Sequence, residues 1–378
     1  MPEGKYGSGA WRVAVLGFDH MHAGDQLRLA AEHPSVELAG AWDDRPSRGR
    51  SVLTHLGLPE TLLYTDVDEM LQRASPQIVV VCSTTADHVR WVEHLASHPV
   101  HVVVEKPFAS SLADADRMIA AMSGTGRTLT VNWPLAWYPP HRTTKRLIGE
   151  GVIGEVAEIH YYDGNRGPLK HAHDKREVMT GEDAATKNAS WWYQRAAGGG
   201  SLLDYLGYGV TLGTWFRDGE LPGEVTAVTY IPPGLEVDEQ SVVTAAYPGG
   251  LSTFQTRWGA FTDPWTVQSA PRCGFIVIGS EGVITSWDYA ETITLHTAAR
   301  PEGEPVAVDV LPAAERDHLG LLIDALERDV PVTGPSSWSI SRAGQQIVDA
   351  AILSARLRTP VTLADVAAAQ PLTAGTGR

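Results

Sequence analysis

Short apolar runs alternate with amphipathic stretches over the first third of the chain, and this alternation limits the fold more than any other feature. The runs are rich in valine and predict buried strands at 12–17, 36–42, 78–82, 100–104 and 128–131. The stretches between them predict helices at 22–33, 87–97 and 113–122. Strands that alternate with helices form a parallel sheet with right-handed crossovers, so a doubly wound α/β domain is predicted here.

The pattern changes after residue 132. Segments in which apolar and polar residues alternate predict a second, mostly antiparallel sheet with strands at 155–162, 225–231, 241–247, 251–257, 274–279 and 292–296. Further helices are predicted at 135–149, 317–328 and 342–357. We therefore divide the chain into a first domain, 1–131, a second domain, 132–366, and a C-terminal tail, 367–378.

Composition excludes several classes of function. The 378 residues include 43% hydrophobic and 20% charged residues, which is typical of a globular protein. The net charge of −15 disfavours nucleic acid and anionic membranes, and no apolar run is long enough for a membrane span. Residues 1–10 lack the basic and then apolar order of a signal peptide. Cys82 and Cys273 are too few for a disulfide framework, so we expect buried thiols and a cytoplasmic protein.

The first predicted strand leads into the segment GFDHMH, which begins at Gly17, where a dinucleotide-binding fold has the pattern G-x-G-x-x-G. Only Gly17 matches, because Asp19 and His22 replace the second and third glycines. The segment still follows a strand and precedes a helix, as the pattern requires. We predict that Gly17, Phe18, Asp19 and His20 contact a dinucleotide. A parallel-sheet domain without a nucleotide is the alternative that these residues leave open.

A carboxylate at the end of the second predicted strand supports the nucleotide prediction. Asp43 follows Gly17 at about the spacing of a carboxylate that accepts from the ribose 2′-hydroxyl of NAD. Arg45 and Arg48 lie close behind it and suit the 2′-phosphate of NADP. The sequence therefore favours NAD and keeps NADP as the less favoured cofactor.

Two further motifs follow predicted strands, where ligands bind in an open α/β sheet. The fourth strand ends in the segment EKP, which begins at Glu105, and a charged pair before proline indicates a rigid turn that presents Lys106. The third strand leads into Ser83 and Thr84, with His88 at the start of the next predicted helix. A solvated loop lysine is the alternative explanation of Lys106.

A glycine-rich segment, GGGSLLDYLGY, runs from Gly198 to Tyr208 and places Asp204 and Tyr208 on one face if it is helical. Together with EKP, it makes the chain resemble the glucose–fructose oxidoreductase / inositol dehydrogenase (Gfo/Idh/MocA) superfamily over nearly its whole length. The family pattern G-G-G-x-L-x-D-x-G-x-H ends in histidine, where this chain has Tyr208. The family's T-P-N-x-x-H loop is matched at its histidine by His88.

The resemblance implies a Rossmann domain followed by an α/β domain with a large open sheet, one face of which often mediates oligomerisation. We therefore expect a homo-oligomer, either a dimer or a tetramer. The resemblance also implies a nicotinamide cofactor and a sugar-like substrate between the domains. Cofactor contacts are then expected from Ser83, Thr84, His88, Glu105 and Lys106, and a cis bond is expected between Lys106 and the proline after it.

Oxidation of a secondary alcohol requires a base within hydrogen-bond reach of the hydroxyl. A tyrosine is a poor base at neutral pH unless a nearby ammonium lowers its pKa. We predict Tyr208 as the acid/base, with Lys106 as its electrostatic partner or as the proton relay. Asp204 is predicted to orient the alcohol. A core aromatic is the alternative explanation of Tyr208.

Aromatic and basic residues just before the glycine-rich segment predict the substrate pocket. Trp191 and Trp192 are candidates because a sugar ring packs its apolar face on an aromatic ring. The segment 165–195 has an excess of lysine and arginine in an acidic chain, including Arg166 and Lys170, together with His173. These residues predict an anionic sugar, and a solvated loop is the alternative.

The leading prediction is an NAD(P)-dependent oxidoreductase that transfers a hydride between nicotinamide and a ring carbon of a sugar, glycoside or cyclitol. The alternative is an NAD-dependent glycosidase that acts by transient ring oxidation, elimination, addition of water and re-reduction. A lesser alternative is a regulator that binds the cofactor without catalysis. No metal site is predicted, because His20 and His22 are explained as helix-start residues and His171 and His173 lack a further spaced ligand.

Overall fold

The computed structural model describes residues 9–369, and its first sheet is built by the first third of the chain. The strands of this sheet are β1 (Trp11–Leu16), β2 (Val36–Trp42), β3 (Leu63–Tyr64), β4 (Ile78–Val81), β5 (His101–Glu105) and β6 (Leu129–Asn132). All neighbours pair in parallel in the order β3-β2-β1-β4-β5-β6. The sheet is surrounded by α1 (Ala23–Glu32), α2 (Pro46–His55), α3 (Val67–Ala74), α4 (His88–Leu95) and α5 (Leu112–Met122). The predicted doubly wound parallel sheet is confirmed.

The second domain is built on a nine-stranded sheet. Its elements, in chain order, are α6 (Pro139–Gly149), β7 (Val156–Asn165), α7 (Ala184–Asn188), α8 (Ser201–Phe216), β8 (Glu224–Tyr230), β9 (Gln240–Tyr247), β10 (Gly250–Trp258), β11 (Gly274–Gly279), β12 (Gly282–Trp287), β13 (Thr292–Thr297), β14 (Arg300–Ala307), α9 (His318–Glu327), α10 (Trp338–Leu357), β15 (Val361–Thr362) and α11 (Leu363–Ala369). The strand order is β14-β13-β12-β11-β7-β10-β9-β8-β15, and β7 and β10 are the parallel pair. The predicted mostly antiparallel second sheet is confirmed.

The structure differs from the predicted elements at several places. Helix α6 begins at Pro139 rather than at residue 135, because proline is favoured in the first turn of a helix, where no N–H bond is lost. The strands β12 and β14 were not predicted, and β14 is a polar edge strand with two prolines. Helix α11 extends to Ala369, past the predicted start of the tail at 367, and 370–378 lie outside the described residues.

Two helices of the second half hold the domains together. Helix α8 is buried on nearly all sides, and a Cβ on its Gly207 would lie 2.7 Å from the ring of Trp133. Helix α9 returns to the first sheet, where Leu319 and Leu322 join the core around β1. In space, therefore, α9 packs with the first domain, although the sequence division at 131 assigns it to the second. Among residues 9–369, no helix combines the length and apolar character that crossing a membrane requires.

Candidate active site

The strand order of the first sheet reverses between β1 and β4, so the loops after these strands diverge and leave a crevice. Gly17 in the β1 loop has a φ of 87°, and a Cβ there would lie 3.1 Å from the backbone nitrogen of Ser83. The two loops therefore touch at a position where a side chain does not fit. The predicted cofactor residues of both loops meet at this crevice.

Unpaired polar atoms beside the crevice fit a dinucleotide. Nε2 of His20, Oγ1 of Thr85 and Nε2 of His88 are buried and, within residues 9–369, have no hydrogen-bond partner. Nδ1 of His20 accepts from the backbone N–H of His22, and burial followed by nearby charges lowers the pKa of His20, so its Nε2 is a donor of the neutral ring. Buried polar groups are rarely left unpaired, and the ribose and phosphate oxygens of a dinucleotide can accept from Nε2 of His20 and from the Thr85 hydroxyl. Nδ1 of His88 donates to the Phe108 carbonyl, so its Nε2 is an acceptor and suits a ribose hydroxyl that donates.

Asp19 and Asp43 are both held by arginines at this crevice. Arg48 bridges the two carboxylates, with its Nη2 lying 2.9 Å from Asp43, and Arg45 lies 2.8 Å from Asp19. The backbone N–H of Arg45 also donates to Asp43. Asp43 lies at the end of β2 as predicted, but its carboxylate is already engaged. The arginines neutralise Asp19, which replaces a glycine that would let the pyrophosphate approach.

Residues of the second domain cover the β1 loop. Nε1 of Trp191 donates to the carbonyl of Asp19 at 3.1 Å, and His173 lies edge-on to Phe18 with ring centroids 5.9 Å apart. Trp192 stacks on Trp191 and is the one of the two that reaches the large cavity described below. Trp191 and His173 pack against the nucleotide loop and do not line the large cavity, so their role as substrate residues stays a prediction.

Glu105, at the end of β5, is a buried carboxylate that accepts four hydrogen bonds. Two come from the backbone N–H of Lys106 and from Nδ1 of His22, and two come from the amides of Gln26 and Asn132 at 2.6 and 2.7 Å. Burial alone would raise the pKa of Glu105, but the charge and hydrogen bonds of its partners outweigh burial and lower the pKa to about 2. His20 and His22 lie close enough to Glu105 to share an ion, yet these bonds already occupy the carboxylate.

Lys106 is held by Asp204 across the domain boundary. Nζ of Lys106 donates to Oδ1 of Asp204, and both side chains are buried. The other oxygen of Asp204 accepts from Nε1 of Trp258 at 3.0 Å. The bond between Lys106 and the proline after it is cis, as expected. The EKP turn and the first turn of α8 thus bring a buried ammonium to the junction of the nucleotide crevice and the large cavity.

Tyr208 lies beside Lys106, but not as predicted. Nζ of Lys106 lies 5.2 Å from the centre of the Tyr208 ring, over its face. Burial, followed by the charges of Glu105 and Asp204, raises the pKa of Tyr208 well above its ordinary value. The predicted lowering of this pKa by Lys106 is wrong, because Lys106 is paired with Asp204. The role predicted for Asp204 also changes, since it orients Lys106.

The sequence of this chain matches a known family in both domains. Residues 11–133 match the GFO_IDH_MocA oxidoreductase family, described as having an NAD-binding Rossmann fold. Residues 141–285 match the GFO/IDH/MocA C-terminal domain. The chain belongs to the Gfo/Idh/MocA family. The predicted resemblance is confirmed, and the domain that carries the crevice is the family's NAD-binding Rossmann domain.

Individual Gfo/Idh/MocA relatives have different reactions in their names. The chain is 28% identical over 147 residues to 2,7-anhydro-N-acetylneuraminate hydratase of Mediterraneibacter gnavus, which is 39% of this chain and 38% of that protein. It is 29% identical over 136 residues to D-apiose dehydrogenase of Paraburkholderia graminis, which is 36% of this chain and 34% of that protein. The chain thus spans little more than a third of the length of these curated relatives.

The fold is shared more widely. Aldose-aldose oxidoreductase from Caulobacter crescentus, whose crystal structure holds glycerol, superposes with a TM-score of 0.73 at 20% identity. The superposition covers 93% of this chain and 99% of that one. The fold described above is therefore shared with that protein over nearly the whole length of this chain.

What we call the large cavity, after its long lining rather than its volume of about 540 Å³, lies between the Rossmann domain and the second sheet. Its lining is mostly aromatic and charged and includes His22, Asp25, Lys106, Trp137, Tyr138, Asp163, Lys175, Trp192, Asp204, Tyr208, Trp265, Asp288 and Tyr289. Aromatic faces beside carboxylates and an ammonium suit a hydroxylated ring, whose faces are apolar and whose edges are polar.

The basic residues predicted to bind an anionic substrate are engaged elsewhere. Arg166 pairs with Asp263 at 3.0 Å, and Lys170 pairs with Glu182. Neither lines the large cavity, and both border a second cavity of about 640 Å³ on the other side of the segment. Arg166 and Lys170 are thus paired with carboxylates outside the large cavity, and their role as substrate residues stays a prediction.

Several site residues were not predicted from the sequence. Asn132 follows a predicted strand of the Rossmann sheet, and this position at a carboxyl end was the available signal. Asp163 and Asp288 come from the second sheet, where alternation predicts strands but not which strand ends face a cavity. Trp258 is one of twelve tryptophans, and its sequence neighbours give no signal that it belongs to the site. Its bond to Asp204 depends on the packing of β10 against α8.

Proposed function

We propose that this protein is a nicotinamide-dependent oxidoreductase that acts on a ring carbon of a sugar, glycoside or cyclitol bound in the large cavity. The single observation that carries the proposal is the position of Lys106. Its buried ammonium is fixed by Asp204 in the wall of the cavity, beside Trp192, whose ring packs against His20 of the nucleotide loop. An ammonium there is placed to exchange a proton with an alcohol oxygen while the neighbouring carbon faces the cofactor.

The residues around the cavity have distinct roles in this proposal. During reduction the Lys106 ammonium donates a proton to the carbonyl oxygen; for oxidation it first loses a proton to solvent, and the neutral amine then accepts the proton of the alcohol. Asp204 fixes the direction of Lys106. Tyr208, whose raised pKa keeps it neutral, donates a hydrogen bond to the same oxygen. The Trp192 ring supplies an apolar wall.

The nucleotide crevice holds the cofactor in this proposal. When bound, a nicotinamide dinucleotide accepts or returns the hydride. The β1 loop from Gly17 to His20 and the β4 loop with Ser83 and Thr84 form its walls, and His88 stands behind them. NAD remains our preferred cofactor, because Asp43 suits a ribose hydroxyl once Arg48 turns away.

Replacing Asp19 by glycine is expected to tighten dinucleotide binding about tenfold, because it removes a carboxylate from the position of pyrophosphate approach. The change also removes one carboxylate partner from Arg45 and from Arg48, so NADP is expected to gain more than NAD. Quenching of tryptophan fluorescence measures both Kd values without turnover. The control is Asp44→Gly, which removes a carboxylate beside the same arginines but outside the loop. Unchanged or weaker binding in Asp19→Gly would contradict this account.

The proposed activity is tested by incubating the protein with NAD and a panel of sugars and glycosides in heavy water, with products followed by NMR. We expect NADH and a keto sugar to accumulate together. Free sugar that carries deuterium beside the oxidised carbon, without net NADH, would instead establish the glycosidase. One relative is named as a hydratase, and this supports the redox-neutral reaction as the second candidate function. No product with any member of the panel would contradict both.

We also propose that the protein assembles into a homo-oligomer through the outer face of the second sheet. Large apolar side chains of β8, β9 and β10 are exposed on this face, among them Val228, Tyr230 and Leu251. Their exposed fractions are 70%, 57% and 57%, which is unusual for alternate residues of a central sheet. A second copy of the same face would cover them.

A further inference from the structure

Two carboxylates that the proposed reaction does not use lie on the wall of the large cavity. Asp163 is near the end of β7, and Asp288 directly follows β12. Strand β11 lies between them, since its Gly274 pairs with Tyr162 on one side and with Trp287 on the other. The next residues along the three strands, Asp163, Cys273 and Asp288, therefore lie side by side across the sheet. Their side chains point to the same face of the sheet, and both carboxylates line the cavity.

Both carboxylates are buried, with 5% and 3% of their surfaces exposed. Asp288 accepts from Nε2 of His141 at 2.7 Å. Asp163 accepts from the Tyr161 hydroxyl at 2.9 Å, and among residues 9–369 no lysine, arginine or histidine forms an ion pair with it. Burial, and then the charge of Asp288, raises the pKa of Asp163 to about 8. Burying two carboxylates without enough compensating positive charge costs free energy, unless a ligand supplies that charge.

The aromatic side chains beside these two carboxylates already contact an ammonium group, that of Lys175. Nζ of Lys175 lies 5.4 Å from the ring centre of Trp265 and 5.8 Å from that of Tyr289. The hydroxyl of Tyr138 donates to that of Tyr289 at 2.8 Å, so the two rings form a fixed rim above the carboxylates. Aromatic faces next to carboxylates are a setting that binds an ammonium group.

We propose that the substrate carries an ammonium group, as an amino sugar or an amino cyclitol does, and that Asp163 and Asp288 bind this group. The inference rests on the proposed oxidoreductase, because it names the class of sugar that the same cavity takes. It replaces the anionic sugar predicted from segment 165–195, whose Arg166 and Lys170 are paired elsewhere. The ammonium of Lys106 is paired with Asp204 and that of Lys175 lies over aromatic rings, so among residues 9–369 neither lysine forms an ion pair with Asp163 or Asp288.

Binding of an ammonium group has a proton signature. The titratable groups that face Asp163 and Asp288 are Tyr138, His141, Tyr161, Asp204, Cys273 and Tyr289. The raised pKa of Asp163 favours its protonated form in the free protein, and a bound ammonium favours its ionised form. Binding of an amine is therefore expected to release a proton to solvent, at most one for each amine bound.

The experiment is calorimetry on the NAD-loaded protein at pH 7, with matched pairs of ligands in two buffers of different ionisation enthalpy. The pairs are 3-amino-3-deoxy-D-glucose and D-glucosamine, each against D-glucose, and an inosamine against the corresponding inositol. We expect at least one amine to bind tenfold or more tightly than its hydroxyl counterpart, with release of a proton. Asp163→Asn should abolish the proton release and the preference. Glu32→Gln, which removes a charge at the rim of the same cavity, should retain both.

Equal affinity for the amine and hydroxyl members of each pair, or no binding by any amine, overturns the proposal. A preference that survives in both Asp163→Asn and Asp288→Asn overturns it as well. Turnover of neutral sugars with NAD would leave the oxidoreductase standing in these cases. Amine binding with proton release but without turnover of any sugar would support the site and count against the oxidoreductase.

Discussion

Replacement of Lys106 by methionine is expected to lower kcat for hydride transfer by about 10³-fold. The methionine side chain keeps the length and packing of the lysine stem but has no proton to exchange with the alcohol oxygen. Cofactor affinity should change little, because the ammonium is bound to Asp204 at the substrate end of the crevice. Steady-state turnover, and single-turnover formation of NADH, measure the loss.

Stability and catalysis must be separated in this experiment, because Lys106→Met leaves the Asp204 charge buried without its partner. Breaking a buried pair in this way costs about 3–5 kcal/mol. The double variant Lys106→Met/Asp204→Asn removes both charges, so it should recover much of the stability and none of the activity. Tyr208→Phe removes only a hydrogen bond and is expected to lower kcat about tenfold. Near-normal rates in both Lys106→Met and Tyr208→Phe would contradict the roles proposed for these two residues.

The parts of the site that depend on strand ends could be predicted from the sequence. Gly17, Ser83 and Glu105 each follow a run of buried apolar residues, and parallel strands bring their carboxyl ends to one edge. Lys106 and Asp204 are far apart in the chain, and only the resemblance to a family brought them together in advance. Their contact depends on the close approach of α8 to the first domain, which small residues such as Gly207 permit.

Side-chain pairing between distant elements could not be predicted, and it decides the charge of the pocket. Arg166 and Lys170 look like ligands for an anion when only their own segment is considered. In the fold, Asp263 and Glu182 neutralise them, and the cavity is left with Asp163 and Asp288. Local composition therefore does not determine which charges line a cavity, because electrostatics acts over distance in space and not along the sequence.

Replacement of Glu105 by glutamine is expected to lower the free energy of unfolding by about 3–5 kcal/mol at pH 7. Glu105 accepts four donors, and an amide in its place has one oxygen and turns its NH₂ group toward donors such as Asn132. Gln26 also accepts from His318 of α9, so the loss of the Glu105 carboxylate is expected to weaken the contact between α9 and the first domain as well. Thermal and urea unfolding measure the loss. Glu60→Gln, at an exposed position, is the control and should change stability little.

The pH dependence of the free energy of unfolding shows whether Glu105 stabilises the fold through its charge or only through its packing. The pKa of Glu105 is lowered from 4.5 to about 2 in the folded protein, so its ionised form is favoured by folding. Its contribution is therefore complete above about pH 4.5 and is lost as the pH falls from there toward 2. The difference in stability between the natural protein and Glu105→Gln should shrink over that range. A difference that stays constant below pH 4.5 would show that packing, and not the charge of Glu105, holds the crevice and the α9 contact together.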